Sequence, residues 1–299
     1  MSSNVRATVS EVLEVVFHQF ESSELFYGHG TDNAWDEAVF LVLHLMGLPM
    51  DSGQSALALA VPEDCQILIN VQVNRRIVER IPLPYLTGVA WFAGMEFICD
   101  SRAIIPRSPV AELIANNFQP WYRGPSPRLI LDLCCGGGCI GIACAASYPN
   151  SKVDLLDLDN NALALATENI AKFALNQRVK TIKSDLYDAI SGRRYDLIVS
   201  NPPYVDSEDI ESMPAEYLHE PGIALVSGVD GLDITRKILR QAESYLSKDG
   251  LLVVEVGNSR EALEYAFPKV PFTWIEFAQG GHGVFVFTAE ELRSYQQWF

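Results

Sequence analysis

The sequence predicts an α/β fold: a mostly parallel sheet of seven strands, a C-terminal antiparallel hairpin, and a small helical region in front. Three observations carry this reading. From residue 128 onward, short apolar runs alternate with helix-length stretches, the rhythm of right-handed β-α-β crossovers. In "LILDLCCGGGCIGIACA" (129–145) a strand pattern runs into glycines and then a helix start. The first 80 residues instead space their apolar side chains mainly as helices do.

Taken in order, residues 9–20 place Val9, Val12, Leu13, Val16, Phe17 and Phe20 at helical spacing. A second helix follows Thr31-Asp32-Asn33, whose side chains can cap it, and passes Trp35, Val39, Val42, Leu43 and Met46 to the Gly47-Leu48-Pro49 stop. A third covers 62–80, although "QILINVQV" also alternates like a strand. After "IPLP" (81–84), "YLTGVAWFAGMEFICD" is broken by Gly88 and Gly94 and reads as a hairpin. "RGPSPR" (123–128) reads as a boundary or short linker. Strands are expected at 128–133, 152–157, 178–183, 195–200, 251–256, 272–277 and 283–288, the last two adjacent and therefore antiparallel. The expected domains are a helical 1–84, a linking hairpin 85–108, and an α/β domain 109–299.

Hydrophobic residues make up 48% and charged residues 20%, a globular balance. No apolar run approaches the roughly 18 residues of a membrane span. "MSSNVRATVSEVLEVV" lacks the pattern of a secretory leader, and six cysteines without a disulfide framework suit a reducing, cytoplasmic setting. The net charge is −16 with no cationic cluster, which argues against direct nucleic-acid binding. Between Arg194 and Arg236 there is no Lys or Arg, whereas Asp206, Glu208, Asp209, Glu211, Glu216 and Glu220 all occur. Such a segment is either a solvated acidic loop or a surface that steers a cationic partner.

Gly136, Gly138 and Gly141 satisfy G-x-G-x-x-G. Alone, that means only that a backbone passes close to a ligand, or that helix and strand pack tightly. Asp157, ending the next strand, can accept from the ribose hydroxyls of either a nicotinamide cofactor or S-adenosylmethionine. Asp132, just before the turn, can meet the cationic end of a ligand or anchor the loop; it would repel a pyrophosphate. Asp185 ends the third strand, so three strand-end acids favour the sulfonium cofactor over the dinucleotide, with plain loop capping as the bland alternative. Cys134, Cys135, Cys139 and Cys144 form no C-x-x-C pair and have no nearby histidine, so they read as packing thiols and no metal is expected.

"YDLIVSNPPYVD" (195–206) runs a buried-strand pattern into Asn201-Pro202-Pro203-Tyr204. The prolines remove backbone donors and fix φ, so the corner is stiff. A planar NH2 group has two donors, and the Asn201 side-chain oxygen and Pro202 carbonyl offer two fixed acceptors, with Tyr204 over its face. Holding both N–H bonds would aim the nitrogen lone pair at a methyl donor; the bland alternative is a rigid turn. His219 in "EYLHEP" reads as a surface or core histidine before a general base, and His282 as loop chemistry.

Together these residues resemble the class I S-adenosylmethionine-dependent methyltransferases that carry Asn-Pro-Pro-Tyr. "YLTGVAWFAGMEF…IIPR" (85–107) with the glycine loop is similar to the bacterial protein-glutamine methyltransferases. The resemblance implies a Rossmann-like fold, S-adenosyl-L-methionine as cofactor, and a helical N-terminal domain, joined by a hairpin, that helps select the substrate. It implies cofactor contacts from Asp132, Cys134, Cys135, Gly136, Gly137, Gly138, Asp157, Asp185, Leu186 and Asn201, and a substrate-amide site from Asn201, Pro202, Pro203 and Tyr204. Cys135 departs from the family, which commonly has Thr or Ser there. The release-factor branch typically has Pro-Arg-Pro-x-Thr-Glu where this chain reads Pro106-Arg107-Ser108-Pro109. With "FYGHGTDNAWDEA" (26–38), "DLCCGGGCI" and "FTWIEFAQGGHGVF" (272–285), it resembles instead the branch that methylates a glutamine of large-subunit ribosomal protein three, a basic partner. Rival readings are an adenine amino-methyltransferase for DNA or RNA, a nicotinamide oxidoreductase, and a binding module without turnover.

Overall fold

A computed structural model describes residues 6–299, so the opening of the stretch read above for a leader lies outside the described residues. The chain divides into two compact units. One runs through Val89 and also takes Pro214–His219; the other comprises Ala90–Met213 and Glu220–Phe299.

The first unit holds α1 (Val9–Glu21), α2 (Ala34–Leu45), α3 (Glu63–Val78) and α4 (Leu83–Thr87). Thr8 and Glu11 form a capping box at the start of α1, and the Asn33 side chain accepts from the Asp36 N–H to start α2. Val12, Val16 and Phe20 of α1 pack with Leu41 and Val42 of α2 and Ile69 and Val73 of α3. The ambiguous "QILINVQV" is helical because Ile69 and Val73, four apart, face this core while Ile67 and Val71 face solvent. Arg76 of α3 is fully buried: its Nε lies 2.9 Å from Glu37, its Nη1 lies 3.0 Å from Glu216, and its Nη2 donates to the Phe26 carbonyl. Glu216 comes from the short segment that joins this unit from far along the chain.

Where the sequence suggested a hairpin from residue 85, Leu83–Thr87 close a helical turn that Gly88 ends at φ +76°. The hairpin is β1 (Val89–Phe92) and β2 (Met95–Ile98), turned by Ala93 and Gly94 at φ +49° and +74°. After α5 (Val110–Ala115), residues 123–128 form a short connection inside the second unit. Then follow β3 (Leu129–Leu133), α6 (Cys139–Ser147), β4 (Lys152–Asp157), α7 (Asn160–Lys172), β5 (Val179–Lys183) and β6 (Tyr195–Ser200). The chain continues with α8 (Ser207–Ser212), α9 (Asp233–Tyr245), β7 (Leu246–Glu255), α10 (Arg260–Ala266), β8 (Thr273–Trp274), β9 (Val284–Thr288) and α11 (Ala289–Tyr295).

The seven strands lie in the order β5-β4-β3-β6-β7-β9-β8, parallel through β7 and antiparallel beyond it. β7 begins five residues before the expected 251, and β8 keeps only two residues. Ile130, Val153, Leu155, Leu197 and Val199 pack on one face; Leu131, Leu133, Leu156 and Ile198 pack on the other. Strands buried on both faces explain the continuous apolar runs of the sequence. Direction reverses at β3, which pairs with β4 on one side and β6 on the other, so the carboxyl ends of β3 and β6 open a crevice. Among the described residues, no helix is long and apolar enough to cross a membrane.

Candidate active site

At this switch point Leu133 and Ser200 are in register, and Ser200 Oγ donates to the Leu133 carbonyl at 2.8 Å. The segments that follow, Cys134–Gly138 and Asn201–Tyr204, are thereby fixed side by side. Cys134, Gly136 and Gly138 turn the chain at φ +58°, +53° and +81°, and the cysteine has that left-handed conformation without a glycine's freedom. Gly141 is needed for a different reason: a Cβ there would come within 2.2 Å of Leu155 on the next strand and 3.0 Å of Asp132. The first glycines shape the turn, and the last lets α6 approach the sheet.

A cavity of about 210 Å³ lies against these segments. Of the residues singled out in the sequence, Cys134, Gly136, Asp157, Asp185, Leu186, Asn201 and Pro203 line it. Arg102, Ala103 and Ile104 close another side, with Ser184, Pro221, Ile223 and Val226. Cys135, Gly137, Gly138, Pro202, Tyr204 and Asp132 are not among its lining residues. Asp132 is buried, and its Oδ2 accepts from the Gly141 N–H at 2.8 Å, so it ties the start of α6 to β3. Burial pushes its carboxyl up to about 8, and its Oδ1 has no partner. Asp157 takes the Gly136 N–H at 2.8 Å and the Asp159 N–H at 2.9 Å; burial raises it against these hydrogen bonds.

Asn201 presents a different balance. Its Oδ1 is buried without a hydrogen-bond partner, and a carboxamide has no proton to gain near neutral pH that would relieve it. Tyr204 is held at its hydroxyl, which donates to Glu255 at 3.1 Å, and at its carbonyl, which accepts from Ser259 Oγ at 2.7 Å.

Other sequence candidates sit elsewhere. His219 Nε2 lies 2.8 Å from the Glu79 carbonyl in the first unit, and His282 Nε2 lies 3.0 Å from Asn258 Oδ1. The acidic segment is not uniformly free for steering. Glu216 and Glu220 are buried in ion pairs with Arg76 and Arg107, and Asp230 pairs with Arg236. Glu208 and Asp209 remain exposed at the start of α8. Among the described residues, no group of three or more His, Cys, Asp or Glu side chains converges as a metal site.

Known proteins place the chain directly. It is 45% identical to the ribosomal protein uL3 glutamine methyltransferase of Francisella tularensis, over 98% of this chain and 93% of that one. It is 44% identical to the protein of the same name from Neisseria meningitidis, over 95% and 94%. The chain belongs to the ribosomal protein uL3 glutamine methyltransferase family. The Methyltransferase small domain model matches residues 110–228 of this family member, spanning both the glycine loop and Asn201–Tyr204. At the level of fold it is similar to the hMettl16 catalytic domain solved in complex with MAT2A 3'UTR hairpin 1. That structure is 16% identical, with a TM-score of 0.50, covering 78% of this chain and 83% of that one. Sequence reasoning missed the cavity wall at Arg102–Ile104 and the support for Tyr204 from Ser108, Glu255 and Ser259. No spacing rule points to them, because they come from two stretches, 102–108 and 255–259, that lie far in sequence from Tyr204.

Proposed function

We propose that this protein transfers the methyl group of S-adenosylmethionine to the side-chain amide nitrogen of a glutamine in ribosomal protein uL3. The observation that carries the reading is the buried Asn201 Oδ1 without a partner, at the mouth of a two-proline corner beside the cavity. A glutamine NH2 supplies the donor this oxygen lacks.

The cavity residues fit the cofactor. Asp157 retains lone pairs for ribose hydroxyls beyond its two backbone bonds, and Asp185, with the Leu186 side chain, lines the wall that suits an adenine ring. Gly136 leaves the wall free of side chain where the backbone must approach a ligand. When bound, S-adenosylmethionine supplies an electrophilic methyl on a sulfonium sulfur and departs as the thioether.

This chain's residues position the other reactant. Asn201 and the Pro202 carbonyl would hold the two N–H bonds, and the Tyr204 ring would lie against the amide plane. As the N–C bond forms the nitrogen becomes more positive, so both acceptor contacts strengthen in the transition state, and one N–H proton passes to solvent. Positioning supplies most of the acceleration. The helical 1–84 region is proposed to select the substrate, and the exposed Glu208 and Asp209 suit a basic ribosomal protein. The reaction belongs to the cytoplasm, where ribosomal proteins are made.

Incubation with methyl-labelled S-adenosylmethionine, uL3 and a release factor tests this. Label should enter one uL3 glutamine, and Asn201→Ala should lower transfer by about 10³-fold or more while cofactor affinity by calorimetry holds. Preference for the release factor, or near-parental turnover by the variant, overturns the reading. If the exposed acids steer association, raising salt should slow it steeply, and a flat response removes that role.

A further inference from the structure

The Asn-Pro-Pro-Tyr corner accounts for its asparagine and prolines by itself, whereas Tyr204 is held by residues outside the motif. Glu255, the last residue of β7, is buried. Its Oε1 accepts from the Tyr204 hydroxyl at 3.1 Å and its Oε2 accepts from Ser108 Oγ at 2.5 Å. Ser108 is also buried and takes the Val110 N–H on the same oxygen at 3.2 Å, which fixes the direction of its own proton. Burial raises the Glu255 carboxyl, and these two hydroxyl donors work against that shift.

Glycines close the arrangement. A Cβ at Gly257, at φ +47°, would come within 2.6 Å of the Tyr204 ring. One at Gly231, at φ +73°, would come within 2.2 Å of the Tyr204 carbonyl oxygen. The ring, hydroxyl and carbonyl of one tyrosine are thus constrained from three directions. A ring that only filled space would not require a carboxylate in the interior, where an isolated charge is costly and a leucine would pack.

Building on the proposed amide transfer, we infer that Glu255 is a positioning residue, anchored by Ser108, that fixes the plane of the Tyr204 ring against the substrate amide. It touches neither reactant and acts through the tyrosine. Ser108 thereby acquires a task in this chain, at a position where the release-factor pattern has proline.

The test compares Ser108→Ala, Tyr204→Phe, Glu255→Leu and Glu255→Gln in the full chain, with uL3 and S-adenosylmethionine. Positioning predicts kcat lowered roughly 10–100-fold in Ser108→Ala, Tyr204→Phe and Glu255→Leu, with cofactor Kd within about 2-fold of the parent. Glu255→Gln, which keeps an acceptor, should recover much of the loss. Tyr204→Phe combined with Glu255→Leu should lose little more than either alone, because both act through one contact.

Ring-flip rates from ring-labelled tyrosine give a readout independent of turnover, with the Tyr204 signal assigned by its absence in Tyr204→Phe. The flip should be slow in the parent and fast in Ser108→Ala and Glu255→Leu. A purely structural role would lower melting temperature while leaving kcat well below melting, and the flip rate, unchanged; that result overturns the inference. If the parent methylates neither uL3 nor a release factor, the functional reading fails, and the flip rates still decide whether Glu255 positions the ring.

Discussion

The helical unit and the strand ends of the sheet both bury carboxylates, and they satisfy them by opposite means. In the helical unit Glu37 and Glu216 share one fully buried guanidinium. Burial raises Glu37 against the pull of Arg76, and the burial acting on Glu216 is outweighed by its bonds from the Phe26 N–H and Arg76. At the strand ends, Asp132, Asp157 and Glu255 have no ion pair among the described residues and rely on backbone N–H groups and hydroxyls, and burial raises all three. A closed ionic cluster has nothing left to offer a ligand. Acids held by neutral donors keep lone pairs, and one of them, Asp157, lines the cavity, where spare lone pairs suit a hydroxylated ligand. The helical unit closes its buried acids with a cation, whereas these strand ends leave theirs on neutral donors.

The sharpest way to break the comparison is to remove its cation. Arg76→Met strands two buried carboxylates and should cost about 3–5 kcal/mol in urea unfolding. A loss below about 1 kcal/mol would show the cluster to be dispensable. A smaller effect is expected from Gly141→Ala, which crowds Leu155 and the Asp132 side chain; about 1–3 kcal/mol should be lost, and less when the same substitution is made in a Leu155→Ala background.

Asp132→Asn separates the two regions by pH. In the fold Asp132 titrates at about 8 against an ordinary 3.8, so the native chain holds a proton the unfolded chain releases. Its contribution is fully present below the unfolded value and is lost as pH rises toward the folded one. The parent's melting temperature should fall between about pH 5 and pH 8, and Asp132→Asn should flatten that fall. An unchanged slope would assign the pH dependence to other groups.

The smallest effect belongs to Arg75, adjacent to Arg76 and paired with Glu79 at 3.7 Å with both side chains substantially exposed. Arg75→Ala should change stability by less than about 0.5 kcal/mol, because water screens the pair. Two neighbouring arginines would then differ several-fold in what they contribute.

Local pattern made much of this legible. The spacing of Val9, Val12, Val16 and Phe20 marks a helix face, the Asn33 cap marks the next helix, and apolar runs with a glycine turn mark β3 and α6. Asn201-Pro202-Pro203-Tyr204 is recognisable because its stiffness is written into adjacent residues. The acidic stretch was legible only as composition: which of its acids are exposed depended on partners such as Arg76, 140 residues from Glu216.

The sequence alone determined most element types of the sheet and of the first two helices, the glycine loop and the stiff Asn-Pro-Pro-Tyr corner, since periodicity, proline and glycine act within a few residues. Tertiary structure alone decided that Asp132 anchors α6, that Arg76 and not Arg75 is buried, and that Glu255 links Ser108 to Tyr204. The Ser108–Glu255 contact joins residues 147 apart. Side chains so distant meet only when strand register and crossover hand bring their segments together, and no local pattern encodes that encounter.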